Sequence, residues 1–565
     1  MFSGTSKHQA GWLFMLLLLG FAPALRGDSS DREPRRPRGI YSVVDIDGHI
    51  VVEQKKDPYI TAADLHAFFT GHYANVLANP AISGLTLQVG WARLNPAPPS
   101  SPAQFDWSYL EDAFHAIETW NDANSDQPPK TVQIQIFPGY FTPDWVFAQI
   151  PSCDSLFAPT PVRPPDNCGK VTFAGFGEPV YGLTVLPLPW NEVYKSAYKS
   201  FLIAFARKYN HNRSLVSVDI DGPTAASSEI MVPNSGNVPY QFGGIPANQV
   251  WLQLLRFAFP TKPPEFQTSD QVFIDEWNAA IDMFGEIFSG ITFVCTHGSQ
   301  LPNFATTGFT IPAAFASQCA TPPSMDCAAE ATIFAHFSDP SVGGDNAKAV
   351  QGSGLNGHAR PVSNILKWLA ERTQHFKSPS AQILAGEQMS SSFTFISQGC
   401  RATFPPTPSD KPPGCTIPPG CSSEPCMPPT CIPQACLAYG VTQADLSGYK
   451  QFSDIPTKYL LPVAQSVDNA LKDYFDGTPV AAVFGGTLGD VPQNYLQIYD
   501  FDILYTNAHV GETALVVQAD GTMMIVSVQD LLNLASQKLL AIAEGAPTSD
   551  DSEQRPSRMN AVGRK

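Results

Sequence analysis

Basic residues are scarce. Lys and Arg number 34 against 51 Asp and Glu, the net charge is −17, and only 15% of the 565 residues are charged at all. With no basic surplus to replace the counterions around phosphates, a nucleic-acid partner is excluded. Beyond Phe21 no apolar run is long enough to span a bilayer. Nor does a glycine-rich phosphate loop follow the first strand-like run, where "DIDGHIV" stands, which speaks against an open, doubly wound nucleotide-binding sheet. No repeat of about 20–50 residues stands out beyond a strand-helix rhythm. What the chain does have is 43% hydrophobic and 11% aromatic residues, enough for a large core and too many for a disordered chain. Its 52 Pro and 41 Gly, about one residue in six, predict long, turn-rich connections. At about 150 residues per domain the length allows three or four domains, or one barrel with enlarged loops.

The N-terminus reads as an export signal. Lys7 and His8 precede the short apolar run "GWLFMLLLLGF", and Ala22-Pro23-Ala24 supplies small residues for cleavage, so residues 1–27 are expected to be removed and the mature protein to be secreted or periplasmic, with no membrane span. The cysteines fit an oxidising compartment. Cys153 and Cys168 share one loop, Cys319 and Cys327 another, and six more lie between Cys400 and Cys436, which suggests five loop staples among ten of the eleven. Cys295, inside "GITFVC", reads as a buried free thiol. The six-cysteine stretch has neither a companion His nor two clean CxxC pairs, so disulfides are expected there rather than zinc.

Between residues 39 and 545 strand-like runs alternate with helical patterns, the signature of parallel βα units. The strand runs are "GIYSVVDID", "ISGLTLQVGW", "TVQIQIFPGY", "SLVSVDIDGP", "GITFVCTHG", "AKAVQGSGL", "SAQILAGEQ" and "NYLQIYDFDIL". Helix candidates follow seven of them, the last, "SVQDLLNLASQKLLAIA", starting at Ser527 as a plausible N-cap, while the fifth is followed by a long irregular segment with the second cysteine pair. Eight such units predict an α/β fold, a (β/α)8 TIM barrel with long, disulfide-stapled βα loops. The expected organisation is a linker at 28–38, one barrel over 39–545 with a Cys- and Pro-rich insertion at 398–440, and a disordered tail at 546–565. Asn212-Arg213-Ser214 is an acceptor sequon.

A barrel does its chemistry at the C-terminal ends of its strands. Those ends carry Trp91 and Arg93 after strand two, Tyr140 and Trp145 after strand three, Asp221 and then Glu229 after strand four, His297 after strand five, Glu387 at strand seven, and Asp500 and Asp502 at strand eight. If strand eight is regular, Asp500 and Asp502 point to one side. Glu229 and Glu387 lie beyond nearly opposite strands, so their side chains can converge over the mouth. Glycoside hydrolysis needs such a pair, one group to protonate the leaving oxygen and one to attack or to activate water. Trp91, Trp145 and Trp190 are candidates to stack on sugar faces, and His297 is a candidate hydrogen-bonding group.

Segments such as "GLTLQVGWARLNP", "IQIFPGYFTPDW" and "LPWNEVYKSAYKSFLIAFARKY" resemble the barrel core of β-galactosidase-like glycoside hydrolases, whose acid/base glutamate follows strand four and whose nucleophile follows strand seven. The resemblance implies an O-glycosyl hydrolase of retaining type, with Glu229 as acid/base, Glu387 as nucleophile and Arg93 steadying the nucleophile. It implies a carbohydrate substrate and no cofactor or metal, and a carboxyl separation of about 5–5.5 Å. Arg93, Trp91, Tyr140, Trp145, His297 and Asp500 are the expected substrate-binding set. The chain departs from the family pattern in two places: Ser228 stands where Asn usually precedes the acid/base glutamate, and strand eight does not end in Trp. Ser228 in place of Asn, together with the long Pro- and Cys-rich insertion that could cover the mouth, motivates a second reading, an exported barrel without catalysis that binds carbohydrate or another surface.

Overall fold

A computed structural model describes residues 33–175, 182–302, 326–353, 383–388, 494–508, 510–511, 513–517 and 523–543. Eight parallel strands form a closed ring: β1 Gly39–Asp45, β2 Ile82–Gly90, β3 Thr131–Phe137, β4 Leu215–Asp219, β5 Thr292–Gln300, β6 Ala347–Ser353, β7 Ile383–Gln388 and β8 Tyr495–Tyr499. Each strand pairs with the next, and the ring shuts where Gly39 of β1 lies opposite Tyr495 of β8. All eight sequence-predicted strands are present, and the fold is the expected (β/α)8 barrel.

Around the ring lie α1 Ile46–Lys56, α2 Ala62–Leu77, α3 Ser108–Ala123, α4 Glu192–Tyr209, α5 Gln271–Ile287, α6 Asp326–Phe337, α7 Asp500–Ala508 and α8 Val528–Ala543. Their starts are written locally. Thr61 and Asp64 make a reciprocal capping box for α2, Asn191 accepts from the Tyr194 amide at the head of α4, and the Asp530 amide donates to Ser527 before α8. In α4, Tyr194, Tyr198, Phe201, Leu202, Phe205 and Tyr209 are buried at three- and four-residue spacing, which lays one aromatic stripe against the barrel. The helix candidates within 354–382 and 389–493 lie outside the described residues, as do the signal segment, the six-cysteine insertion and the tail.

Two layers of core result. The outward strand residues, such as Leu85, Leu87, Val89, Ile134 and Ile136, join the helices in one large apolar cluster. A smaller cluster, Tyr41, Val216, Val294, Ala349, Leu384 and Tyr495, takes one residue from each of six strands and plugs the ring's interior. Above that plug the interior is polar. Thr86 of β2 and Gln497 of β8 both donate to Gln133 of β3, and Gln88 donates to Gln135, which in turn donates to Asp219 of β4. Burial of so many amides is tolerated because they bond one another across the ring.

Three local features were not anticipated. The chain turns helical at Ile46, where Asp45 caps the Gly48 amide, so the run "GIYSVVDID" is strand only to Asp45. A short strand, Glu229–Met231, attaches to β5 beyond the ring, and an antiparallel hairpin, Thr513–Val517 with Met523–Ser527, precedes α8. Cys153 and Cys168 form the expected disulfide, and Cys295 is a buried free thiol, as read from its apolar run. Among the described residues no helix is long and apolar enough to cross a membrane.

Candidate active site

Glu387 sits one residue from the end of β7 and is wholly buried. In register with it on β6 is Gly352, and that glycine makes its position possible. A Cβ at residue 352 would stand 2.4 Å from both carboxylate oxygens of Glu387, so the carboxylate rests directly on the bare backbone of the neighbouring strand. Gly386 serves in the same way for Tyr495, whose ring a Cβ would meet at 2.0 Å. A glycine within a strand pattern is the sequence sign of such close approach.

Glu229 is half-buried and begins the short extra strand, paired with Thr296 of β5. His297, the next residue on β5, hydrogen-bonds through Nδ1 to Glu330 of α6 at 2.7 Å. Burial by itself would lower the His297 pKa, but Glu330, with further contributions from Glu229 and Glu387, outweighs it and holds the imidazole above its ordinary value. The charges of the two predicted carboxylates therefore both contribute to raising the same imidazole's pKa. Tyr499, at the end of β8, is raised first by burial and then by the charges of Asp45 and Glu229, while a hydrogen bond with Gln88 opposes the shift.

Asp219 lies beneath these groups. Its Oδ2 accepts from Gln135 and Thr296, and the Ser228 hydroxyl also hydrogen-bonds to it, yet burial dominates and pushes its pKa up to about 7. From Thr296 the chain of contacts runs through Gln351 to the Tyr495 hydroxyl, and Tyr495 is raised by burial and by the charges of Asp219 and Glu387. Ser228, standing where the resembled family has Asn, is thus engaged with the barrel interior. The sequence reading passed over Asp219, Gln135, Gln351 and Tyr495. For Gln135 and Asp219 the signal was present in the alternation of "QIQIF" and "VSVD", where polar residues recur on the face turned away from the helices.

Four of the expected binding residues are engaged elsewhere. Trp91 has 0% exposure; it packs in the outer layer against Tyr194, Tyr198 and Phe201, and its Nε1 donates to Asn95, so it is a core residue with no ring face left for a sugar. Tyr140 is buried and its hydroxyl donates to the Phe173 carbonyl. Arg93, expected beside Glu387, is paired with Asp47 of α1 through Nε at 3.0 Å and a terminal nitrogen at 2.9 Å. Asp500 is not on a strand at all: β8 stops at Tyr499, and Asp500 opens α7 with its carboxylate held by His49 and His72. Asp502 lies in the same first turn and is buried. Trp145 is half-buried and donates to the Asn95 carbonyl, and Trp190 packs into an aromatic cluster with Trp251, Phe259 and Phe273.

No family model and no curated protein matches the chain. Among solved structures it is similar to the catalytic domain of β-amylase from Paenibacillus polymyxa, at 11% identity and a TM-score of 0.33, over 63% of this chain and 86% of that one. It is similar also to β-galactosidase from the psychrophilic Marinomonas ef1, at 10% identity and a TM-score of 0.33, over 90% of this chain and 61% of that one. A third is endo-glycoceramidase II from Rhodococcus sp., at 10% identity and a TM-score of 0.26, over 62% of this chain and 74% of that one. These neighbours are glycoside hydrolases. Likeness of this degree does not reach the side chains of the site.

Proposed function

We propose that this chain is an exported glycoside hydrolase that cleaves O-glycosidic bonds by a retaining, two-glutamate mechanism. The observation that supports the reading is that Glu387, near the end of β7, and Glu229, paired with Thr296 of β5, both stand at the C-terminal rim of the barrel, where their charges help to raise the His297 pKa. In the first step Glu229 protonates the leaving glycosidic oxygen while Glu387 attacks the anomeric carbon. In the second, Glu229 takes a proton from water, which displaces Glu387 from the glycosyl-enzyme. His297, anchored by Glu330, places a positive charge at the rim when protonated and donates a hydrogen bond from Nε2 to a sugar hydroxyl. No cofactor or metal enters these steps.

The test is turnover of a panel of aryl glycosides and polysaccharides by the oxidised protein. Glu387→Ala is expected to abolish it, and added azide to restore release of the aryl group with a glycosyl azide of inverted configuration. A second reading, a barrel that binds glycans without cleaving them, is favoured by the complete burial of Glu387 and by the engagement of Arg93 with Asp47. Glycan binding by the wild type with no turnover across the panel supports that second reading and overturns the first.

A further inference from the structure

Three helices from distant parts of the chain bring one ligating atom each to a single buried point. His49 comes from α1, His72 from α2 and Asp500 from α7. His49 Nε2 and His72 Nε2 each lie 2.6 Å from the same oxygen, Asp500 Oδ2, and the three atoms all fall within 4.8 Å of one another. All three residues are buried, and the two imidazoles are 4.6 Å apart at 64°. The other carboxylate oxygen accepts from the Phe501 amide, which fixes the carboxylate's orientation. Phe68, Phe69 and Phe501 pack around the His49 ring.

We propose that His49, His72 and Asp500 bind a divalent transition-metal ion, with zinc the best match. Two imidazole nitrogens and one carboxylate oxygen are a donor set that zinc takes at about 2.0–2.2 Å, usually in a tetrahedron. Ligands at that range stand about 3.3 Å from one another, so the nitrogens and the oxygen need separate by less than about 1 Å to admit an ion between them. The fourth position is left to a water molecule. Two imidazoles converging on one oxygen present their lone pairs to a common point once each carries its proton on Nδ1, which is the tautomer that ligation requires. The site lies apart from Glu229 and Glu387 in its residues, and its role is structural. It ties the helices that follow the first strand to the one that follows the last, across the seam where β1 meets β8.

The proposal is tested on the full, untagged, oxidised chain, stripped with a chelator and titrated with Co2+ and Zn2+. The expected result is one bound Co2+ with visible ligand-field bands of a tetrahedral site and no thiolate charge-transfer band, which separates this site from the cysteine-rich insertion. Zn2+ should displace the cobalt and raise the melting temperature. His72→Gln and Asp500→Asn should each lose that equivalent while any metal bound through thiolates stays. A wild type that gives no such cobalt spectrum overturns the proposal whether or not the variants fold. So does retention of the same spectrum by folded His72→Gln or Asp500→Asn, and the cluster is then a hydrogen-bonded clasp only.

Discussion

The carboxylate of Glu387 lies on Gly352, the residue in register with it on the neighbouring strand, so close that a methyl group there would stand 2.4 Å from both of its oxygens. A strand glycine thus sets the position of the proposed nucleophile. Gly352 has no left-handed backbone, so alanine is compatible with its conformation and the substitution acts through space alone. Gly352→Ala is expected to leave the protein folded and to cut kcat by on the order of 100-fold, the cost of moving a reacting group by about 1 Å. Steady-state kinetics on an aryl glycoside, alongside a melting curve, checks it, and unchanged kcat would remove the glycine from the catalytic argument.

Asp219 contributes a pH-dependent part of the stability. Its folded pKa of about 7 lies above the ordinary carboxyl value of 3.8, because burial outweighs its hydrogen bonds. The folded state therefore holds this proton more tightly than the unfolded one, and stability falls as pH rises from about 4 to about 7. In Asp219→Asn the amide oxygen keeps an acceptor for Gln135 and Thr296 and no charge appears. The melting temperature of the variant relative to wild type should climb across that window; a pH-independent difference would refute the assignment.

Trp91 provides a test of placement. Wholly buried among Tyr194, Tyr198 and Phe201, it should act on stability and not on substrate binding. Trp91→Ala is expected to destabilise by about 3–5 kcal/mol, whereas Trp91→Phe should remain folded with KM close to that of wild type. A Trp91→Phe protein of normal stability and greatly raised KM would place the ring at the substrate after all.

The disulfide between Cys153 and Cys168 closes a loop with a sequence separation of 15. Loop-closure entropy puts its contribution at about 3 kcal/mol. Cys153→Ser with Cys168→Ser should lower the unfolding free energy by that order in denaturant titration, and limited proteolysis should then cut within 154–167. Resistance equal to wild type would show that packing alone holds the loop.

The ring was legible because strands buried on both faces read as short apolar runs between Gly- and Pro-rich turns, and eight of them recur in order. What a strand-end side chain touches was not legible. Trp91 and Glu387 both stand at such ends, and one faces the helices while the other lies over Gly352; the pattern of types along either strand is similar. The sequence "YDFDIL" alternates as a strand would, yet its residues 500–503 belong to a helix, because Asp500 finds two histidines rather than the mouth. Those histidines sit 451 and 428 positions away, beyond the reach of any local rule. Arg93 was misplaced for the same reason, since its partner Asp47, at the end of the first strand-like run, belongs to a helix 46 positions away.

The pairing of Gly39 with Tyr495 gives the chain a late-closing architecture. Until β8 arrives, β1 and β7 each present an unpaired sheet edge, and an open edge is a template for intermolecular strand addition. A chain interrupted between residues 388 and 495 keeps the first seven ring strands but retains both edges, and it also lacks Tyr495, Gln497 and Asp500. Its fate in a cell is association or degradation rather than reduced activity, so nonsense and frameshift changes far downstream of both glutamates should be as damaging as changes at the glutamates themselves.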